Sequence, residues 1–211
     1  MTSKSIFENI DSSIIDSILS DKRCECAVFQ KGDVILDESK FSKKLGILRS
    51  GRAKVRNRGV GGVTIRVLVS GSCFGVATLF NDSDKYVSVI EALERCDVLF
   101  IPQEVLSEKM MEYPLLAQNF IRFLTDRIIY LNTLIDAYSS PTVESKLARY
   151  LVAYSQGHEA PFDINMSELS RILGAGRASL YRATESFEQQ GLIQKNGRAF
   201  VILDPKKLSE I

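Results

Sequence analysis

Tryptophan is absent from this 211-residue chain and histidine occurs once, at His158. With a single imidazole, no P-loop, no Gly-x-Gly-x-x-Gly and no cluster of zinc ligands, the sequence holds no recognisable catalytic set, and the expectation is that it is not an enzyme. Charge of one sign is lacking too: 27 Lys and Arg stand against 26 Asp and Glu, a formal net charge of +1, so bulk charge gives no argument for nucleic acid. No run approaches the roughly 18 apolar residues of a membrane span. The first twenty residues carry Ile6, Phe7, Ile10, Ile14, Ile18 and Leu19 at helical spacing, interrupted by Glu8, Asp11 and Asp16; that is an amphipathic helix and not a signal-peptide core. A cytoplasmic protein with no membrane partner is the expectation. The four cysteines, Cys24, Cys26, Cys73 and Cys96, suit that compartment as reduced thiols better than as a disulfide framework.

What is present is strongly patterned. Hydrophobic residues make up 45% and charged residues 25% of a chain long enough for one or two compact domains. From Cys24 to Pro102 the sequence runs in short alternating segments, CAVFQ, VILDE, KLGILRSG, RAKVRN, VTIRVLVSGS, VSVIEA and CDVLFIP, with turn signals roughly every ten residues. This pattern predicts an all-β domain, an antiparallel sandwich or barrel. Arg52, Lys54, Arg56 and Arg58 recur with period two and read as one solvated strand face in preference to a second nucleic-acid site. From Pro114 to about Tyr138 the period becomes helical. Ile121, Ile128 and Ile135 repeat every seven residues, interleaved with Leu124, Leu131 and Tyr138, and Ile at a with Leu at d favours a parallel two-stranded coiled coil and hence a homodimer. A helix buried within one chain also explains the apolar faces, but explains the seven-residue register less well. Phe120, Phe123 and Leu134 lie off that seam, available to the β-domain of the same chain.

Ser139-Ser140-Pro141 breaks the helix, because the residue before proline is pushed out of the α region. A helix over 142–155 and a polar loop over 156–161 follow. The stretch 165–191 then reads as two short amphipathic helices: Asn165 and Glu168 have capping-box spacing, Leu169, Ile172 and Leu173 share a face, and Gly174-Ala175-Gly176 makes the turn. In the second helix, 100° per residue puts Leu180, Ala183 and Phe187 on one side and Ala178, Tyr181, Arg182 and Glu185 on the other. Arg177, Ser179 and Arg182 are donors suited to guanine edges and phosphate oxygens. A merely solvated helix pair is the plainer alternative. Beyond it, Asn196-Gly197 between two apolar runs predicts a tight hairpin, which completes a winged helix-turn-helix with Lys195 and Arg198 on the wing. Between Arg171 and Arg198 there are five Lys or Arg and two Glu, so the positive charge is local to this face.

Taken together these parts resemble the bacterial transcription regulators of the cyclic AMP receptor protein and FNR (Crp/Fnr) family. The likeness covers nearly the whole chain and is carried by FQKGDVILDE, LGILRSGRAKV, GSCFGVATLF, ERCDVLFIP and LSRILGAGRASLYRATESFEQQGLI, in that order. It implies an α+β chain: an antiparallel β-roll of the cyclic-nucleotide-binding, jelly-roll type over 1–113, a dimerisation helix over 114–139 and a winged helix-turn-helix over 140–211. It also implies a homodimer on a palindrome in double-stranded DNA, a signal sensed in the β-roll, and RNA polymerase as a partner if the protein is an activator.

The same resemblance puts Arg177 and Arg182 at base-reading positions and Ser179 at a phosphate-contacting one. Ala178 stands where the family has a glutamate that accepts from cytosine N4, so the half-site should differ there. In the sensor, Phe74 and Gly75 match the start of the phosphate cassette, but Val76 replaces the ribose-binding glutamate, and Tyr86 and Val87 replace the arginine and serine that hold the phosphate. Leu131 and Asn132 occupy the positions that would meet the purine. A buried phosphate without its cation is an unpaired charge costing several kcal/mol, so the signal is not cyclic AMP. Two readings of the pocket stand, an uncharged or aromatic effector of unknown identity and a filled pocket without one. The four cysteines are the right number but wrongly spaced for an iron–sulfur cluster, and no histidine lies in the sensor for haem, so no cofactor is identified. The Cys24/Cys26 pair would respond to oxidants if accessible; burial on a strand is the competing reading. His158 reads as an exposed loop residue, with polymerase contact as its alternative. A ligand-binding module acting through protein contacts, its helix-turn-helix degenerate, is the alternative of a different class.

Overall fold

The computed structural model describes residues 6–57, 64–157, 162–163, 166–196 and 199–211. Asn165, His158, Arg58, Gly197 and Arg198 lie outside the described residues, as do the side chains of Leu134 and Glu168. The chain divides into two compact units, Lys4–Ile121 and a second built on Arg122–Ile211.

The first unit begins with α1 (Ser12–Leu19), shorter than the sequence periodicity suggests. Asn9 takes a left-handed φ of 57° and interrupts the helix, and Asp11 then restarts it by accepting from the Ser13 N–H at 2.8 Å, the preferred N-cap chemistry. Ile6 and Ile18 are nevertheless fully buried. Eight strands follow: β1 (Glu25–Phe29), β2 (Val34–Leu36), β3 (Lys44–Ser50), β4 (Ala53–Asn57), β5 (Thr64–Leu68), β6 (Cys73–Phe74), β7 (Ser88–Ala92) and β8 (Cys96–Pro102). They form two antiparallel four-stranded sheets, ordered β1-β8-β3-β6 and β2-β7-β4-β5. Their inner faces enclose a core that includes Leu48, Val55, Leu68, Phe74, Tyr86, Ile90 and Val98. Two sheets, each burying one face, explain the period-two patterning.

The basic run at β4 lies on a partly solvated face, and its described members also carry ion pairs. Lys54 sits opposite Glu91 in the β4–β7 register, and the Glu91 carboxylate accepts Lys54 at 2.8 Å and Arg56 at 2.7 Å. Arg52 pairs with Glu94 at 3.1 Å. A helix the sequence reading did not separate, α2 (Gln103–Glu112), follows β8 and buries Val105 and Leu106. The long helix α3 (Pro114–Ser139) begins in this unit and runs into the next. Its Phe120 is buried edge-on to Phe80, with ring centroids 5.8 Å apart. Asn119, also buried, donates to the carbonyls of Ile6 and Glu8 and so ties the N-terminal segment to α3.

The second unit contains α4 (Val143–Gly157), β9 (Phe162–Asp163), α5 (Met166–Leu173), α6 (Arg177–Gln189), β10 (Ile193–Asn196), β11 (Ala199–Ile202) and α7 (Pro205–Ser209). Thr142 caps α4 by accepting from the Ser145 N–H, and Leu147, Ala148 and Leu151 are fully buried. The hairpin β10–β11 is extended by β9, giving the sheet order β10-β11-β9. Asp204 caps α7 by accepting from Lys207 N–H, with Pro205 in the first turn, where proline loses nothing.

Candidate nucleic-acid interface

The geometry of α5 and α6 is fixed from the inside. Leu169 and Leu173 of α5 are buried together with Leu180, Ala183 and Phe187 of α6. Gly174 between them has φ +57°, a conformation that costs glycine little. The turn closes on Ser170, whose hydroxyl donates to the Ala175 carbonyl at 2.6 Å and whose own carbonyl accepts from Ala175 N–H. Thr184, buried on the same face, returns its hydroxyl to the Leu180 carbonyl. Anchored in this way, α6 exposes Arg177, Ala178, Tyr181, Arg182 and Glu185, the side assigned from the helical period.

Three contacts on that face go beyond the helical period. The Arg182 guanidinium donates to the Ser179 hydroxyl at 3.3 Å, so a base-reading candidate and a phosphate-contacting candidate already touch one turn apart. Lys195, on the wing strand β10, places its ammonium 5.1 Å from the centroid of the Tyr181 ring. Its backbone N–H donates to Glu188 Oε1 at 2.8 Å. The two Lys195 contacts depend on the hairpin folding back along α6, which single-helix periodicity does not report.

In the β-roll, Phe74, Gly75 and Tyr86 come together. Tyr86 is buried beside the Phe41 ring at 5.1 Å; its hydroxyl accepts from the Ser42 N–H at 3.2 Å and donates to the Ser42 carbonyl. Gly75 has φ +79°, and a Cβ there would lie 2.7 Å from the Lys44 carbonyl oxygen. Val76 is half-buried, whereas Val87 is 65% exposed. Leu131 and Asn132 belong to the other unit and are exposed on α3. A cleft of about 200 Å³ adjoins Tyr86 and is lined by Phe29, Leu36, Lys40, Lys44 and Phe100 among others. Lys44 is already paired with Glu25 at 2.8 Å, and the Lys40 ammonium donates to the Val34 carbonyl.

Cys73 and Cys96 are buried, Cys24 is half-buried and Cys26 is exposed. Burial pushes the Cys24 and Cys96 thiols above their ordinary value, which lowers their thiolate fraction. The expectation of burial therefore fails for Cys26, whose side chain points out from edge strand β1 toward Arg49 at 3.5 Å. Among the described residues no three His, Cys, Asp or Glu side chains cluster to hold a metal ion, and no helix is long and apolar enough to cross a membrane.

On α3, Ile121, Ile128 and Ile135 are each about 60% exposed (62%, 59% and 59%). Leu131 and Tyr138 are exposed and Leu124 is half-buried. Ile129 is exposed as well, outside the seven-residue spacing.

Residues 27–113 match the model of the cyclic nucleotide-binding domain, and residues 145–211 that of the Crp-like helix-turn-helix domain. The chain is 21% identical to the CRP-like cAMP-activated global transcriptional regulator of Mycobacterium tuberculosis, over 97% of this chain and 94% of that one. It is 22% identical to the cyclic AMP receptor protein of Thermus thermophilus, over 87% and 86%. A solved CooA variant from Carboxydothermus hydrogenoformans shares the fold with a TM-score of 0.68 at 19% identity, covering 96% of this chain and 91% of its own. For the c-di-GMP responsive global regulator CLP of Xanthomonas campestris the values are 0.66, 17%, 91% and 99%. A jelly-roll domain, a long helix and a terminal helix-turn-helix define a DNA-binding regulator. The chain belongs to the Crp/Fnr family of transcription regulators.

Proposed function

We propose that this regulator binds a palindromic operator as a homodimer through Arg177, Ser179, Tyr181, Arg182, Lys195 and Arg198, under a β-roll signal other than cyclic AMP. The observation that carries the DNA reading is the two-sidedness of α6: Leu180, Ala183, Thr184 and Phe187 are buried, while both arginines and Ala178 face solvent on the opposite side. An exposed face of donors with no bulky aliphatic side chain suits a major groove. The homodimer is supported by the apolar residues of α3 that stand exposed at seven-residue spacing. Two such subunits would present two copies of α6 to two half-sites related by the same two-fold symmetry. RNA polymerase is then a partner wherever the operator position makes the protein an activator.

Against cyclic AMP stands Tyr86. The resemblance assigns its position to the cation that holds the phosphate, and here the position carries a neutral ring already bonded to Ser42. Recovery of sites from a random duplex pool, with and without cyclic AMP and with and without a cell metabolite extract, tests the whole reading. The expected result is a two-fold-symmetric sequence, indifferent to added cyclic AMP. Selection of no sequence would sink the DNA reading in favour of a module acting through protein contacts, and a cyclic AMP requirement would sink the reading of the sensor.

A further inference from the structure

Tyr181 is unusual among the exposed residues of α6, because its ring is already in use. It lies in the second turn, and the ammonium of Lys195 from β10 sits over its face at 5.1 Å. An ammonium in that position is attracted by the ring quadrupole. A second tie lies two turns further along the same side of the helix, where Glu188 Oε1 accepts the Lys195 backbone N–H at 2.8 Å. A third, the Leu192 N–H to the Phe187 carbonyl at 2.9 Å, fixes the entry to β10. Lys195 is therefore held at its main chain by α6 and at its cationic tip by Tyr181.

Lysine has one of the largest side-chain entropies, and most of it is lost when the ammonium settles on a partner. A lysine already ordered in the free protein loses less on binding. Only one side of the ammonium faces the ring, so its other N–H bonds remain available to phosphate oxygens. Tyr181 is itself 44% exposed, on the side of α6 that carries Arg177 and Arg182, so the cation it holds lies at the border of the face that would enter a groove.

We propose that Tyr181 is a positioning residue for DNA binding: its ring holds the Lys195 ammonium beside α6, ready for a backbone phosphate flanking the groove. The proposal rests on the DNA reading of α6 given above. It assigns the work to the face of the ring and none to the hydroxyl, so phenylalanine should substitute for tyrosine.

A double-mutant cycle tests it with the full-length chain, using Tyr181→Ala, Lys195→Ala, both together and Tyr181→Phe. Affinity is measured on the selected operator and on a random duplex over a range of salt, beside each variant's melting temperature. Tyr181→Ala should weaken both duplexes by about two- to fivefold, the scale of an exposed cation–π contact. It should also flatten the salt dependence toward that of Lys195→Ala, whose slope falls by up to about 0.9 for one phosphate lost. Tyr181→Phe should bind as wild type, and Tyr181→Ala should add nothing once Lys195 is gone. A loss confined to the operator at unchanged salt slope would overturn the proposal in favour of a base contact. Additive losses, or a loss that tracks a lower melting temperature and is not rescued by phenylalanine, would overturn it too. Failure of the DNA reading looks different: the wild-type chain then selects no sequence, and Arg182→Ala is indistinguishable from it.

Discussion

Two residues of the β-roll show how a single side chain closes a space. Tyr86 fills the interior with its ring and satisfies its hydroxyl on Ser42, a substitution visible in the sequence although its hydrogen bonds were not. Gly46 does the opposite by having no side chain. It lies in β3 directly beneath the Phe74 ring, and a Cβ there would come within 2.2 Å of Phe74 Cε2. Phe74 is also edge-on to Phe100 at 6.0 Å, so the ring has little freedom to retreat. Gly46→Ala should therefore cost roughly 1–3 kcal/mol by overpacking and lower the melting temperature by several degrees. An unchanged melting curve would mean that the ring gives way. Nothing in the sequence singles out Gly46, because the neighbour that excludes a Cβ arrives from a strand far along the chain. Arg182 belongs to the legible class, since its position on α6 follows from helical period alone. If it reads a base edge, Arg182→Ala should lose about 1–3 kcal/mol on the preferred site and discriminate poorly at one base pair. Equal losses on operator and random DNA, compared by competition binding, would remove that role.

Among elements, legibility followed the strength of periodicity. The long strands and α3 were readable because apolar residues recur in them at two- or seven-residue spacing over a whole element. By contrast α2 buries only Val105 and Leu106 in full, too few to show a helical face, and β9 is two residues long. The N-terminal helix is shorter than its apolar period because Asn9 and Asp11 favour a local turn and cap, which outweigh the continuing period. For α3 the folded chain leaves most of the predicted seam exposed, with Ile128 at 59% and Leu124 half-buried. An aspartate in the centre of a two-stranded seam meets its symmetry mate and must be desolvated beside it. Ile128→Asp should convert the proposed dimer to monomer in sedimentation experiments, with a parallel loss of operator affinity, while Ile128→Leu should stay dimeric. A monomeric wild-type chain would remove the proposed dimer, and an Ile128→Asp dimer of undiminished affinity would place the interface elsewhere.

For the molecule as a whole, the DNA reading and the dimer reading make a joint demand on the operator. A monomer with one α6 reads one half-site, and its affinity does not depend on what lies beyond. A symmetric dimer gains the second half-site without a second loss of translational freedom, provided both grooves face the same side of the duplex. Successive major-groove faces recur every 10–10.5 base pairs, roughly 34 Å. Inserting about five base pairs between the half-sites turns one groove to the far side of the DNA, whereas inserting about ten restores the facing but lengthens the span by a full turn. The first insertion should reduce binding to that of an isolated half-site, and the Ile128→Asp variant should be insensitive to it. The ten-base-pair insertion measures how far the two subunits can spread: recovery of affinity indicates a compliant dimer, and continued loss a fixed separation. If the wild-type chain tolerates the half-turn insertion, its two recognition helices are not acting as one symmetric reader, and the contacts of α6 serve single half-sites.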